Sequence, residues 1–257
     1  MSEFISSTER QNGIVDLLTR QGRLSVAEIV DQFEISEATA RRDLEFLAEQ
    51  GRLQRVHGGA LSLKQAPPEL PILQREQEQM VVKHRIGLKA AALVNDGETV
   101  FLGSGTTVLE VARNLRSRRG LTVITNSLPV MNTFAGLSEI NVIALGGMLR
   151  DSELSFIGHI TEQALAEVRA DKVIIGVHAI SVESGLTNDY LPETMTDRAI
   201  LKAGREVVVV ADHTKVNAVA TAFLAPLTSI HTFVTDVETP QDFLTALHEA
   251  GIGVHLS

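Results

Sequence analysis

A chain of 257 residues, 44% apolar and 21% charged, has the composition of a globular protein with room for one large core or two modest ones. It contains no cysteine, which excludes a disulfide framework and any thiolate metal site and suits a reducing compartment. A formal net charge of -9 argues against a protein that coats nucleic acid through summed positive charge, but leaves room for a local basic patch.

The opening MSEFISSTERQNG is polar and lacks the basic and apolar blocks of a secretory signal, and no apolar run reaches the roughly 18 residues of a membrane span. The expectation is a soluble, cytoplasmic protein with no membrane partner. In Glu9 to Gly22, Ile14, Leu17 and Leu18 share a helical face, and Gly22 ends the helix. Ser25 and Glu28 stand at capping-box spacing ahead of an apolar stripe of Val26, Ile29, Val30 and Phe33. Ser36 caps a third helix that runs to Gln50, and Gly51 stops it. GRLQRVHGGALSL then reads as a hairpin turning at Gly58-Gly59. Three short helices and a hairpin make a winged helix-turn-helix.

KQAPPELPIL, with three prolines in five positions, reads as a stiff linker. The expected division is residues 1–62 for the first domain, 63–76 for the linker and 77–257 for the second domain. Beyond the linker, apolar runs in ETVFLG, LTVITN, INVIALGG, KVIIGV, EVVVVAD, HTFVTD and IGVHL alternate with helical stretches. Those stretches are Gln77 to Val94, Thr106 to Leu115, Pro129 to Ala135, Thr161 to Val168, Pro192 to Ala203 and Pro240 to Ala250. Such alternation gives a mostly parallel sheet covered on both faces, with ligands at the carboxyl ends of the strands.

On the third helix, Ala40, Leu44, Leu47 and Ala48 share the core face. Ala38, Thr39, Arg42 and Glu45 then face outward with Arg41 on the flank. Small, hydroxylic and guanidinium groups near a helix start suit a major groove, where arginine pairs with guanine. Arg52, Arg55 and His57 place positive charge on the wing, where it can hold phosphate. Asp43 orients an arginine or faces inward. The competing reading pairs these arginines with Asp43 and Glu45 on a solvated helix; the helix–turn–helix–hairpin order favours DNA.

The run ISEATARRDLEFLAEQGRLQRVHGGA resembles the DNA-binding signature of the DeoR family of bacterial transcriptional regulators. Arg10, Phe33, Ser36, Thr39, Arg41, Arg42, Asp43, Leu44, Leu47, Gly51, Leu53, Arg55, His57, Gly58, Gly59 and Ala60 stand where that signature has them. Ala40 replaces the usual β-branched residue. Phe46 is unusually large for an outward position and either packs on the wing or meets another protomer. The outward face of the helix, the wing and the resemblance together give Ser36, Ala38, Thr39, Arg41, Arg42, Arg52, Arg55 and His57 as the expected DNA-contacting set.

The resemblance also implies that the second domain is a Rossmann-like α/β effector domain resembling ribose-5-phosphate isomerase and binding sugar phosphates. The residues agree: Gly103, Ser104, Gly105, Thr106 and Thr107 join a strand to a helix N-terminus, where glycines, hydroxyls and amide N–H groups receive an anion. The loop lacks the lysine of a nucleotide-triphosphate site, so a monophosphate is the better match. Thr125 and Asn126 and the pair Gly146 and Gly147 follow strands, and either line the pocket or close turns. Asp212 and Lys215 share one loop, the lysine as phosphate partner and the aspartate as hydroxyl acceptor or brace. Asp189 and Glu193 suit sugar hydroxyls. Lys83 reaches the anion or is solvated; His178 touches ligand or is structural; His159 sits at a helix start, where capping is the simpler role. Asp197-Arg198 replaces a Lys-Arg pair common in the family.

The expected function is a transcription regulator, a repressor of a carbohydrate-utilisation operon. It pairs double-stranded operator DNA with a phosphorylated sugar or polyol effector, acts as a homo-oligomer (dimer or tetramer), and needs no catalytic group, metal or cofactor. The alternative is a sugar-phosphate isomerase or transferase with an appended nucleic-acid-binding domain, in which Asp189, Glu193 and Asp212 supply acid/base carboxylates.

Overall fold

The structure is a computed structural model and describes residues 6–50, 52–56, 58–62, 64–67 and 69–257. Helix α1 (Ser7–Gln21) starts in a capping box in which Ser6 Oγ accepts from the Glu9 amide and the Glu9 carboxylate accepts from Ser6 N, and it stops at Gly22 in the left-handed region. Strand β1 (Arg23–Ser25) leads into α2 (Val26–Phe33), whose Ser25–Glu28 capping box has the expected partners. Helix α3 (Glu37–Glu49) is capped by Ser36. Strands β2 (Gln54–Val56) and β3 (Gly59–Leu61) form the wing, and β1 joins them as a third strand in the order β1-β3-β2. That third strand needs close approach. A Cβ on Gly59 would lie 2.2 Å from the Leu24 carbonyl oxygen, so glycine is what lets β3 lie against β1. Ile14, Leu18, Ile29, Ala40, Leu44, Leu47 and Leu53 fill the small core, with Leu17 and Ala48 at its margin.

The proline-rich segment is docked on the second domain and is no free tether. Its strand β4 (Lys64–Gln65) pairs in parallel with a later strand at Ala218–Val219, and Ala66 N donates to Val219 O at 2.9 Å. The short helix α4 (Ile72–Arg75) buries Ile72, whose amide donates to Ser152 O at 2.7 Å. Helix α5 (Met80–Ala91) follows, shorter at both ends than its apolar pattern suggested.

The second domain alternates strands and helices: β5 (Thr99–Leu102), α6 (Thr106–Leu115), β6 (Leu121–Thr125), α7 (Leu128–Phe134), β7 (Ile140–Ala144), the hairpin β8 (Met148–Arg150) and β9 (Ser155–Ile157), and α8 (His159–Ala166). Then come β10 (Ala170–Ile175), β11 (Ala179–Ser181), β12 (Gly185–Asn188), α9 (Leu191–Lys202), β13 (Gly204–Val210), a 3-10 turn (His213–Lys215), β14 (Ala218–Val219), β15 (Ala222–Ala225), β16 (Thr232–Thr235), α10 (Gln241–Glu249) and β17 (Gly253–Leu256). The seven apolar runs form one parallel sheet in the order β17-β16-β13-β10-β5-β6-β7.

Side chains alternate across this sheet. Val100, Leu102, Val123, Ile174 and Val208 pack under α5, α6 and α7, while Phe101, Val173, Ile175, Val209 and Phe233 pack under α8, α9 and α10. The strand order reverses between β5 and β10, and a crevice opens at their carboxyl ends, as it does at such switch points in open α/β sheets. A separate antiparallel sheet, β11-β12-β15, leans over that crevice.

Candidate functional site

Two regions carry chemistry. On α3, Ser36 Oγ accepts from Thr39 N at 3.2 Å and lies 2.8 Å from Thr39 Oγ1, so the cap engages both groups of Thr39. Ala38, Arg41 and Arg42 are exposed and Thr39 half-buried. Arg41 pairs with Glu37 one turn earlier, both side chains more than half exposed, an arrangement of little energetic weight. Arg42 has no hydrogen-bond or ion-pair partner among the described residues. Asp43 points inward and accepts from Arg10 and Gln11 on α1. Its partner is thus an arginine of a different helix, which frees the Arg41–Arg42 face. Phe46 stays 44% exposed, one turn beyond Arg42.

On the wing, Arg52 donates to Asn12 Oδ1 at 2.8 Å and Arg55 to the Gly59 carbonyl at 3.1 Å, so both guanidinium groups are fixed locally. The expectation for His57 lies outside the described residues. The wing also touches the second domain: Arg55 N donates to Glu183 Oε1 at 3.1 Å, in the β11–β12 turn.

The second region is the crevice. Gly105 precedes α6 at φ 105° and ψ 155°, backbone that only glycine adopts without strain. No side chain caps α6, so its first amide N–H groups have no side-chain partner, at residues that line the crevice. Ser104, Gly105, Thr106 and Thr107 line it together with Lys83, Glu193, Asp212 and Lys215. Lys83, read as either solvated or anion-facing, is 5% exposed and donates to the Arg75 carbonyl at 2.9 Å; burial lowers its pKa, against the pull of Asp212. Asp212 caps the following 3-10 turn, accepting from Thr214 N and Oγ1, and leaves Lys215 directed inward.

Several expected residues stand elsewhere. Gly103 continues β5, its amide donating to Ile174 O at 3.0 Å. Thr125 is fully buried and accepts from Ser127 N, and Asn126 exchanges hydrogen bonds with Phe156 to hold β9. Gly146 O accepts from Thr161 Oγ1, and a Cβ on Gly147 would lie 2.2 Å from that same hydroxyl oxygen. These groups close turns outside the crevice. Asp189 sits half-buried at its rim, accepting from Glu69 N at 3.3 Å and standing 3.6 Å from Arg150. His159 does not cap α8, because Gly158 occupies the cap position.

Other residues entered the crevice unforeseen. Arg75 joins Glu69 and Glu153, and behind the lining Arg150 pairs with Glu193 while lying 4.6 Å over the Tyr190 ring. His178, read as either ligand-facing or structural, is 5% exposed and lines the wall. Asn188 donates to Asp197 Oδ2 at 2.8 Å. Carboxylates outnumber cations here, and their acidities split accordingly. Burial pushes Glu193 up to about 8, with the Asp197 charge adding to it and Arg150 opposing. Burial likewise lifts Asp197 and Glu153 to about 7. Glu69 goes the other way: burial raises it, but His178, Lys215 and Arg75 outweigh burial and hold it at about 2.

The crevice therefore brings cations and a helix N-terminus together with carboxylates, several of them protonated near neutrality. That is a fit for a ligand with one anionic end and a hydroxylated body. Glu69, His178 and Asp189 also bring ligand atoms within 4.8 Å of one another, but the neighbouring Arg75 and Lys215 compete with any metal ion for Glu69. A second such group, His213, Asp236 and Glu238, lies partly exposed; there His213 N and Glu238 N both donate to Asp236, which makes it a turn brace. No helix among the described residues is long and apolar enough to cross a membrane.

A family model described as the DeoR-like helix-turn-helix domain matches residues 10–66, and one described as the DeoR C terminal sensor domain matches residues 78–237. The chain is 33% identical over 252 residues to the glycerol-3-phosphate regulon repressor of Escherichia coli (strain K12), covering 98% of this chain and 100% of that one. It is 35% identical over 234 residues to the transcriptional repressor AccR of Agrobacterium fabrum, covering 91% of each. Among solved structures it is similar to ribose 5-phosphate isomerase A of Methanocaldococcus jannaschii at a TM-score of 0.41 and 19% identity, over 54% of this chain and 55% of that one.

Proposed function

Because the chain belongs to the DeoR family, with that family's helix-turn-helix at one end and its sensor domain at the other, we propose that it represses a carbohydrate-utilisation operon under the control of a phosphorylated sugar or polyol. The reading head is α3 in a major groove, with Arg42 on base edges and the wing on phosphate. The effector's phosphate lies at the α6 N-terminus among Lys83, Arg75 and Lys215, and its hydroxyls meet Glu193 and Asp212. The observation that carries this reading is the crevice itself. It sits at the strand-order reversal and is lined by an uncapped helix N-terminus, lysines and carboxylates.

Control follows from linkage: an effector that binds one arrangement of the chain better than another biases the arrangement that holds DNA. One winged helix reads few base pairs, so the active unit is a homo-oligomer placing two heads on two half-sites.

The test is a gel shift of the chain's own upstream region, with and without a panel of sugar and polyol phosphates. The relative named a glycerol-3-phosphate regulon repressor makes glycerol 3-phosphate the first compound to try. Sequence-specific retardation that changes with one of these compounds is the expected result; retardation indifferent to sequence would overturn the reading. The raised pKa values of Glu193 and Asp197 are what an isomerase site would share. Incubating the protein with the same panel separates the two readings, since a regulator leaves each compound unconverted.

A further inference from the structure

The chain places a carboxylate of its own among the cations of the crevice. Glu69 Oε1 accepts from Arg75 at 2.6 Å and from Lys215 at 3.3 Å, and its Oε2 stands 3.1 Å from His178 Nδ1. The side chain is 12% exposed, although Glu69 belongs to the proline-rich connection between the two domains. Cavities of about 100 Å³ and about 400 Å³ adjoin it, and both are walled by Glu69, Arg75, His178 and Lys215.

Two further facts bear on what Glu69 does. His178 is buried, yet neither ring nitrogen is aligned for a hydrogen bond with any described residue, Glu69 included. Nδ1 is thus close to Glu69 Oε2 but out of line with it, and an acceptor that reaches it in line satisfies it better. Upstream of Glu69, the connection is held by Ala66 N on Val219 O and by the β4–β14 pairing. Beyond that, the wing is held by Arg55 N on Glu183. The connection that carries the reading head is thus the same short stretch of chain that fills the crevice, and the wing adds a direct contact of its own.

We propose that Glu69 is a tethered competitor of the effector: a phosphate group entering the crevice displaces its carboxylate from Arg75, Lys215 and His178, and the displacement loosens the connection that positions the reading head. This rests on the reading that the crevice takes a phosphorylated effector, and it says how occupancy reaches the DNA-binding end. A phosphate brings up to two negative charges and three acceptor oxygens to groups that a carboxylate serves with one charge and two oxygens. The closed form also reduces apparent effector affinity by the fraction of molecules in which Glu69 is seated.

The experiment is titration calorimetry of the full-length protein with inorganic phosphate and with glycerol 3-phosphate, on the wild type, Glu69→Gln and Glu69→Ala, paired with amide hydrogen exchange at Ala66 and Glu69. Removing the charge is expected to tighten anion binding about tenfold or more, in proportion to how fully Glu69 is seated. In the wild type, the anion is expected to speed exchange at both amides. Equal or weaker binding by the variants, or exchange unmoved by the anion, overturns the role of Glu69 and leaves the effector reading standing if the wild type binds. Absence of binding to all three proteins overturns both.

Discussion

Arg10 on α1 and Asp43 on α3 form a two-pronged ion pair, Nε to Oδ2 at 2.6 Å and Nη2 to Oδ1 at 3.2 Å, and Gln11 Nε2 closes on the same carboxylate at 2.9 Å. Both partners are largely buried. The pair fixes the angle at which α3 leaves the core and so aims Arg42. Asp43→Ala leaves a buried guanidinium without its partner, at a cost of about 1.5–3 kcal/mol. The expected result is a lower melting temperature for the N-terminal domain and weaker operator binding, with effector binding in the second domain unchanged. Differential scanning calorimetry and calorimetric titration on one variant measure both.

Arg42 is exposed and unpaired among the described residues, whereas Arg41 already spends its charge on Glu37. A guanidinium that reads a guanine edge contributes about 1–3 kcal/mol of discrimination. Arg42→Ala should therefore reduce operator affinity by about tenfold or more and leave nonspecific binding nearly intact. Competition gel shifts with operator and random duplex at one salt concentration give the ratio. An unchanged ratio would mean that Arg42 does not face base edges.

The buried carboxylates make stability depend on pH. Glu153, Asp197 and Glu193 titrate at about 7, 7 and 8 in the folded protein, against ordinary values of 4.5, 3.8 and 4.5. The folded protein thus binds more protons than the unfolded chain across that interval, and stability falls as pH rises through it. Glu69, held at about 2, adds stability that is complete above 4.5 and is lost only on acidification. Between about pH 6 and about pH 8.5 the three raised carboxylates lose stability together, so the melting temperature should drop, by about 2–4 °C for each kcal/mol lost. Glu193→Gln should flatten the slope. Thermal melts of both proteins across that range decide it, and a wild-type melting temperature that rises with pH would contradict the assignment.

The seven strands of the main sheet were legible because each is a short apolar run bounded by turn residues, the pattern of a strand buried on both faces. The capping boxes at Ser25 and the cap at Ser36 were legible for a similarly local reason. Strands such as Ala179–Ser181 and Gly185–Asn188 carry no period, and they exist because β12 is held between β11 and β15. The crevice divided along the same line. Ser104 to Thr107 announce themselves as a glycine-and-hydroxyl turn into a helix. Glu69 and Arg75 were hidden by prolines that read as a tether, though those prolines stiffen a segment that is docked. Thr125, Asn126, Gly146 and Gly147 misled because a strand end that closes a turn has the same composition as one that meets a ligand.

Gly105 gives the sharpest test of the anion end. Its φ of 105° with ψ of 155° lies where side chains are strained, yet a Cβ placed there meets nothing within 4 Å. Gly105→Ala therefore acts through backbone strain alone, of about 1–3 kcal/mol. The chain relieves that strain by turning the peptide before α6, which swings the first amide N–H groups off the crevice. The expected outcome is a protein that folds, binds operator at near wild-type affinity and no longer responds to its effector. Thermal shift with and without glycerol 3-phosphate separates lost stability from lost binding. A variant that melts lower yet keeps the full ligand-induced shift would place the phosphate elsewhere in the crevice.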